Sequence, residues 1–137
     1  MNPTLQNQIR LQGYTLKKAN WNLISDLHQD DNSREFDINI FFENHIRDEK
    51  KGFFMDFNLN LINKTKSLEI ALVFEFIFET HNNIEVDFLE SHFCKINAPA
   101  IAFPMIRAFV TTLSANAGIP AVILPSINFA AKEKNND

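Results

Sequence analysis

The sequence predicts an α+β fold, a four-stranded antiparallel Greek-key sheet followed by one long helix, and three observations carry that prediction. Three consecutive runs in the middle of the chain alternate apolar and polar residues with a period of two and are joined by short polar turns. After Thr80 the alternation ends, and Ile96 to Phe129 holds four of the five prolines and a single charge, Arg107. The length, 137 residues, suits one domain with its own core.

The first strand is read in IRLQGYTLKKANWNLI, Ile9 to Ile24, whose alternation breaks around Gly13 and near Ala19, as a bulged strand does. His28 to Glu35 is polar and serves as the crossover. In the second strand Phe36, Ile38, Ile40 and Phe42 alternate with Asp37 and Asn39. The charged stretch His45 to Gly52 is a hairpin connection. Met55, Phe57, Leu59 and Leu61 then share one face, with Asp56, Asn58 and Asn60 on the other. After the turn Asn63 to Ser67, Leu68, Ile70, Leu72, Phe74, Phe76 and Phe78 line one face of a strand whose other face carries Glu69, Glu75 and Glu79.

Beyond Thr80, VDFLESHFCKI predicts a short helix with Val86, Leu89 and Phe93 on one stripe and Asp87 near its positive end. Pro99 belongs to an extended or turn segment, and Pro104 to the first turn of the long helix. Gly118 closes that helix as a left-handed cap, and Pro120 stops its continuation. Met105, Ile106, Phe109, Val110 and Leu113 leave it apolar on more than one side, which calls for a second covering layer. Residues 1–129 form the single domain, and 130–137 read as a polar, disordered tail.

Composition narrows the function classes. The net charge is −4 and the basic residues are scattered, so a nucleic-acid partner is not expected. One cysteine, Cys94, rules out an internal disulfide framework and suits a reducing compartment. The N-terminus lacks signal-peptide order and no apolar run reaches roughly 18 residues, so a cytoplasmic protein without membrane insertion is expected. With three glycines there is no phosphate loop. His92 and Cys94 near Asp87 and Glu90 fall short of a zinc set, the other histidines lying in separate polar segments. No catalytic constellation, metal site or cofactor is assigned, and carboxylates such as Glu43 and Asp56 read as a wet sheet face. The 14 phenylalanines need burial, yet Phe41, Ile62 and Ile77 fall on nominally polar faces, so apolar surface should remain exposed.

In NAPAIAFPMIRAFVTTLSANAGIPAVILPSINF the positions Pro99, Ile101, Phe103, Pro104, Arg107, Gly118, Pro120, Leu124, Pro125, Asn128 and Phe129 resemble the pattern of the SecB family of protein-export chaperones. The resemblance extends more loosely from Gln12 to Phe129. It implies a Greek-key sheet and long helix, assembly as a homodimer or as a homotetramer (a dimer of dimers) with the long helices between the sheets, and ATP-independent holding of unfolded polypeptides or preproteins for delivery to SecA. Family members continue after P-x-N-F into a second helix. The family also includes solitary members dedicated to one client such as an antitoxin.

The residues assigned to client binding are Trp21, Phe36, Ile38, Met105, Phe109, Ile127 and Phe129, because such a groove needs adaptable apolar side chains. Glu69, Glu75 and Glu79 are the candidates for a SecA-like contact, and Arg107, Ile106, Val110 and Leu113 for a subunit interface. Three readings stay open: an export holdase, a chaperone dedicated to one client, and a non-chaperone α+β interaction domain.

Overall fold

Strict alternation makes strands of the segments that carry it. The structure, a computed structural model describing residues 9–27 and 35–135, places β1 at Ile9–Leu23, β2 at Phe36–Ile46, β3 at Gly52–Asn63 and β4 at Leu68–Thr80. They form one antiparallel sheet in the order β1-β4-β3-β2. The chain leaves β1 at one edge, enters β2 at the other and meanders back, the Greek-key path expected from the sequence. Most of the predicted crossover, 28–34, lies outside the described residues.

Side chains two apart share a face, so one register row fixes the whole sheet. Trp21, Ile70, Leu61 and Ile38 are cross-strand neighbours in one such row. That face carries the core, with Phe53, Met55, Phe57, Leu59, Phe74, Phe76 and Phe78 each almost wholly removed from water. In β1 the register steps between Leu11 and Gly13 and again between Leu16 and Lys18. Each step absorbs one residue, so Leu11, Tyr14, Leu16, Ala19 and Trp21 all stay on the apolar face despite their irregular spacing.

The hairpins are built from local polar chemistry. Lys50 and Lys66 take positive φ in the two turns. In the second, the Asn63 Oδ1 accepts the backbone N–H groups of Ser67 and Leu68, while its amide donates to Ser67 Oγ. Gly52 opens β3 at φ 152°, where an added Cβ would stand 2.1 Å from the Phe78 carbonyl oxygen.

Between Thr80 and the long helix two details differ from expectation. The predicted short helix is a 3₁₀ turn at Val86–Glu90 and a π turn at Phe93–Asn97. A three-residue period rotates Val86 out of the predicted stripe, leaving it 72% exposed, and Phe88 stacks on Phe93 at 5.7 Å instead. The π turn runs straight into α1, Ala98–Asn116, so the long helix begins before Pro104. Pro99 occupies its first turn, where no N–H is needed, and Pro104 sits inside with its ring on the exposed side.

The helix ends as predicted, with Gly118 at φ 88°. The run Phe93–Asn116 is long and apolar enough to cross a membrane by length and composition alone. In this fold it lies across the sheet, with Ala98, Ala102, Phe103, Ile106 and Val110 buried against it.

From 119 to 128 the chain returns without regular structure along α1. Arg107 Nε donates to the Leu124 carbonyl at 3.1 Å, and Thr111 Oγ1 to that of Val122 at 2.8 Å. The buried Ser114 Oγ accepts the Val122 N–H at 2.7 Å. Where a disordered tail was expected, a second helix, α2, spans Phe129–Asn135. Asn128 Oδ1 accepts the Ala131 N–H at 3.1 Å, and the alanines and lysines that follow favour helix.

Gly52→Ala is expected to lower the unfolding free energy by about 1–3 kcal/mol in urea titrations, through positive φ and the clash with Phe78. Gly13→Ala, with open space around its Cα, should stay near wild type. Equal stability of the two variants would contradict this account of the β3 start.

Candidate functional site

A single sheet has two edges, and their chemistry differs. β1 is broken by two bulges and carries Arg10, Lys17 and Lys18, features that hinder pairing with another strand. β2 pairs with β3 without a break from Phe36↔Asn63 to Ile46↔Phe53 and contains no proline or lysine. Its outer backbone groups therefore form the more receptive edge. Along that edge Phe36, Ile38, Phe42 and Ile46 are half-buried on the core face, while Phe41 on the opposite face is 62% exposed. The edge thus presents main-chain hydrogen-bonding groups flanked by an apolar rim on the core face and by Phe41 among polar residues on the other.

The sequence-derived client residues do not converge on one groove. Phe36 and Ile38 lie together at the start of β2. Trp21, half-buried, is in the same row as Ile38 but at the other edge, three strand spacings or roughly 14 Å away. Met105 is 41% exposed on α1, and Phe109, half-buried, meets Phe74 edge-on at 5.4 Å. Ile127 is half-buried. Phe129 is buried in an aromatic cluster with Phe42, Phe57 and Phe103, at centroid distances of 6.3, 6.5 and 5.9 Å.

Of the expected interface set, Ile106 and Val110 are spent in the chain's own core, and Leu113 is half-buried. Arg107 is committed to the Leu124 carbonyl. The exposed side of α1 is instead Ala100, Ile101, Pro104, Met105 and Ala108, an uncharged strip next to Ile123, which is 78% exposed. A sequence cannot tell which side of an apolar helix meets its own sheet, so the strip was not legible.

Glu69, Glu75 and Glu79 do share a face of β4, the one opposite the core. Glu79 pairs with Arg10, whose guanidinium hydrogen bond holds the carboxyl below the usual range. Glu75 stands in a cross-strand row with Asp56 and Glu43. His45 Nε2 lies 3.4 Å from Asp56 Oδ2. The same open face holds a hollow of about 790 Å³ at the other end of the strands, whose lining includes Asn20, Asn22, Asn39 and Asn60 beside Asp37, Glu69 and apolar residues.

Among the described residues no three His, Cys, Asp or Glu side chains gather as a metal-binding group. His92 is exposed and Cys94 buried, so the pair does not form a shared ligand face. Burial pushes the Cys94 thiol up to about 12. A thiol held neutral in this way is a poor nucleophile and metal ligand.

No family model matches the chain. A stretch of 69 residues, half of the chain, is 42% identical to an uncharacterised protein of Methanocaldococcus jannaschii, and it spans 41% of that relative's length. Among solved structures, the fold superposes on a SecB-like chaperone of Mycobacterium tuberculosis, in complex with a ChAD peptide from the HigA1 antitoxin, with a TM-score of 0.69 at 12% identity. That match covers 88% of this chain and 91% of the other. A Streptococcus agalactiae protein of unknown function matches with a TM-score of 0.51 at 13% identity, covering 87% of this chain and 98% of that one. The architecture is therefore SecB-like.

Cys94 gives a pH test with a definite sign. From an ordinary value of 9.0 up to about 12, the unfolded chain releases the Cys94 proton while the folded chain keeps it. The unfolded state then binds fewer protons, so this contribution to stability falls as pH rises through the window. The stability difference between wild type and Cys94→Ala should therefore shrink with rising pH in that range, and a constant difference would contradict it.

Proposed function

We propose that this chain is a SecB-like, ATP-independent holdase that captures an extended polypeptide segment along β2, and that it serves a dedicated client rather than preproteins at large. The carrying observation is the shared architecture with a SecB-like chaperone that was captured holding a peptide from an antitoxin. The physics of β2 supports the same reading. An extended segment laid beside the unbroken edge exchanges main-chain hydrogen bonds that depend little on sequence. Phe36, Ile38 and Phe41 supply apolar contact at alternating positions on the two faces. Capture withdraws the segment's own sticky edge from aggregation without any covalent step.

Release for export through SecA is a second reading, favoured by the carboxylate row Glu75–Asp56–Glu43 and by Glu69 on the open face. Assembly as a dimer or tetramer in the cytoplasm belongs to this proposal, and the uncharged strip Ile101, Met105 and Ala108 on α1 supports it.

Purified protein is expected to suppress aggregation of a chemically unfolded substrate, read by light scattering, at a stoichiometric ratio and without nucleotide. Ile38→Lys places a charge on the β2 rim and should weaken capture about tenfold, roughly 1.4 kcal/mol, while thermal unfolding shows that the fold persists. Unchanged suppression by this variant would exclude β2 as the capture edge. One dominant partner in a pull-down from the native host fits the dedicated reading, whereas many precursors fit export.

A further inference from the structure

The hollow on the open sheet face has a composition that the fold does not require. On the open face it is lined by Asn20, Asn22, Asn39 and Asn60 together with Ile62, Ala71, Asp37 and Glu69, and between these lie Trp21, Ile70, Leu61 and Ile38 of the adjoining core-face row. The register sets Asn20, Ala71, Asn60 and Asn39 side by side across all four strands. Asparagine is among the poorest strand formers, so such a row runs against local preference for no gain in packing. Positions that defy a local rule in this way are where function is to be sought.

Chance composition does not explain the segregation either. Toward the other end of the same strands the open face carries Glu43, Asp56, Glu75 and Glu79 instead of amides. The volume, about 790 Å³, lies within the roughly 300–1,000 Å³ range of ligand sites.

The chemistry narrows the ligand. Among the described residues no lysine, arginine or histidine lines the hollow, so they offer phosphate and other anions no counter-charge there. Each amide offers both a donor and an acceptor, the complement of a peptide group. Asp37 and Glu69 stand at the margin, on either side of Ile62 in the next row. The hollow also continues from the capture edge, because Asp37 and Asn39 flank Ile38 on β2. A chain that leaves the apolar rim over this edge meets the asparagines next.

We propose that the asparagine row is a second polypeptide subsite, which binds the main-chain amides of an uncharged, polar segment of the client. This rests on the capture of polypeptide along β2. The apolar rim fixes one segment, and the amides hold the adjoining polar one without reading its sequence. The division lets one molecule retain a client whose sticky stretches are short.

The test is fluorescence anisotropy with a labelled peptide made only of Gly, Ser, Thr and Gln. Wild type should bind it, and a double variant Asn39→Thr with Asn60→Thr, which keeps strand propensity, should bind about tenfold more weakly. Equal binding by wild type and the double variant overturns the proposal. Loss of binding on Asp37→Asn with Glu69→Gln instead would make the hollow a reader of charge, and displacement by a neutral oligosaccharide would make it a glycan site; both overturn it. If wild type captures an unfolded apolar polypeptide but ignores the polar peptide, the subsite fails and the holdase reading stands. If it captures neither, the holdase reading fails too.

Discussion

The contact between the apolar face of β3 and β4 and one side of α1 is the constraint on which the rest of the structure depends. Phe57 meets Phe103 of the helix and Phe129 beyond it, at 6.3 and 6.5 Å, and Phe74 meets Phe109 at 5.4 Å. Burial of such rings is the largest favourable term available to a chain of this size. With the two central strands committed to the helix, β1 and β2 lie at the edges, where most of their apolar residues, Ile40 excepted, are only partly covered. The half-buried rims are thus a consequence of having one helix over four strands.

Edge strands invite pairing, and the two edges answer differently. The bulges and cations of β1 disrupt its outer ladder, whereas β2 is regular and uncharged on its apolar rim. The proposed capture of polypeptide uses that asymmetry. The open sheet face is also graded, with the asparagine row toward one end, Asp37 and Glu69 at its margin, and the row Glu43–Asp56–Glu75 toward the other.

The strands were readable from sequence because period-two alternation is a direct image of a sheet with one dry face, and the irregular β1 pattern announced a bulged strand, whose register steps fall at Leu11/Gly13 and, slightly before the expected break, at Leu16/Lys18. Gly118 and Pro120 likewise marked the helix end through local backbone chemistry. What failed were choices that depend on tertiary context. Pro104 has no local signal separating a helix start from an exposed interior position, and Val86 left its stripe because the turn tightened to a 3₁₀ period. The client set was assembled by residue type, and residue type does not distinguish Phe129 in the core from Phe36 at an edge. The asparagine row was invisible because it exists only across strands, through register.

Amide hydrogen exchange of the protein with and without an unfolded polypeptide tests the central claim most directly. Strand addition at β2 predicts that amides in Phe36–Ile46 which face the free edge gain protection when the polypeptide is bound, while those of β1 keep theirs. Protection appearing along β1 alone, or no change in either edge with polypeptide bound, would contradict it.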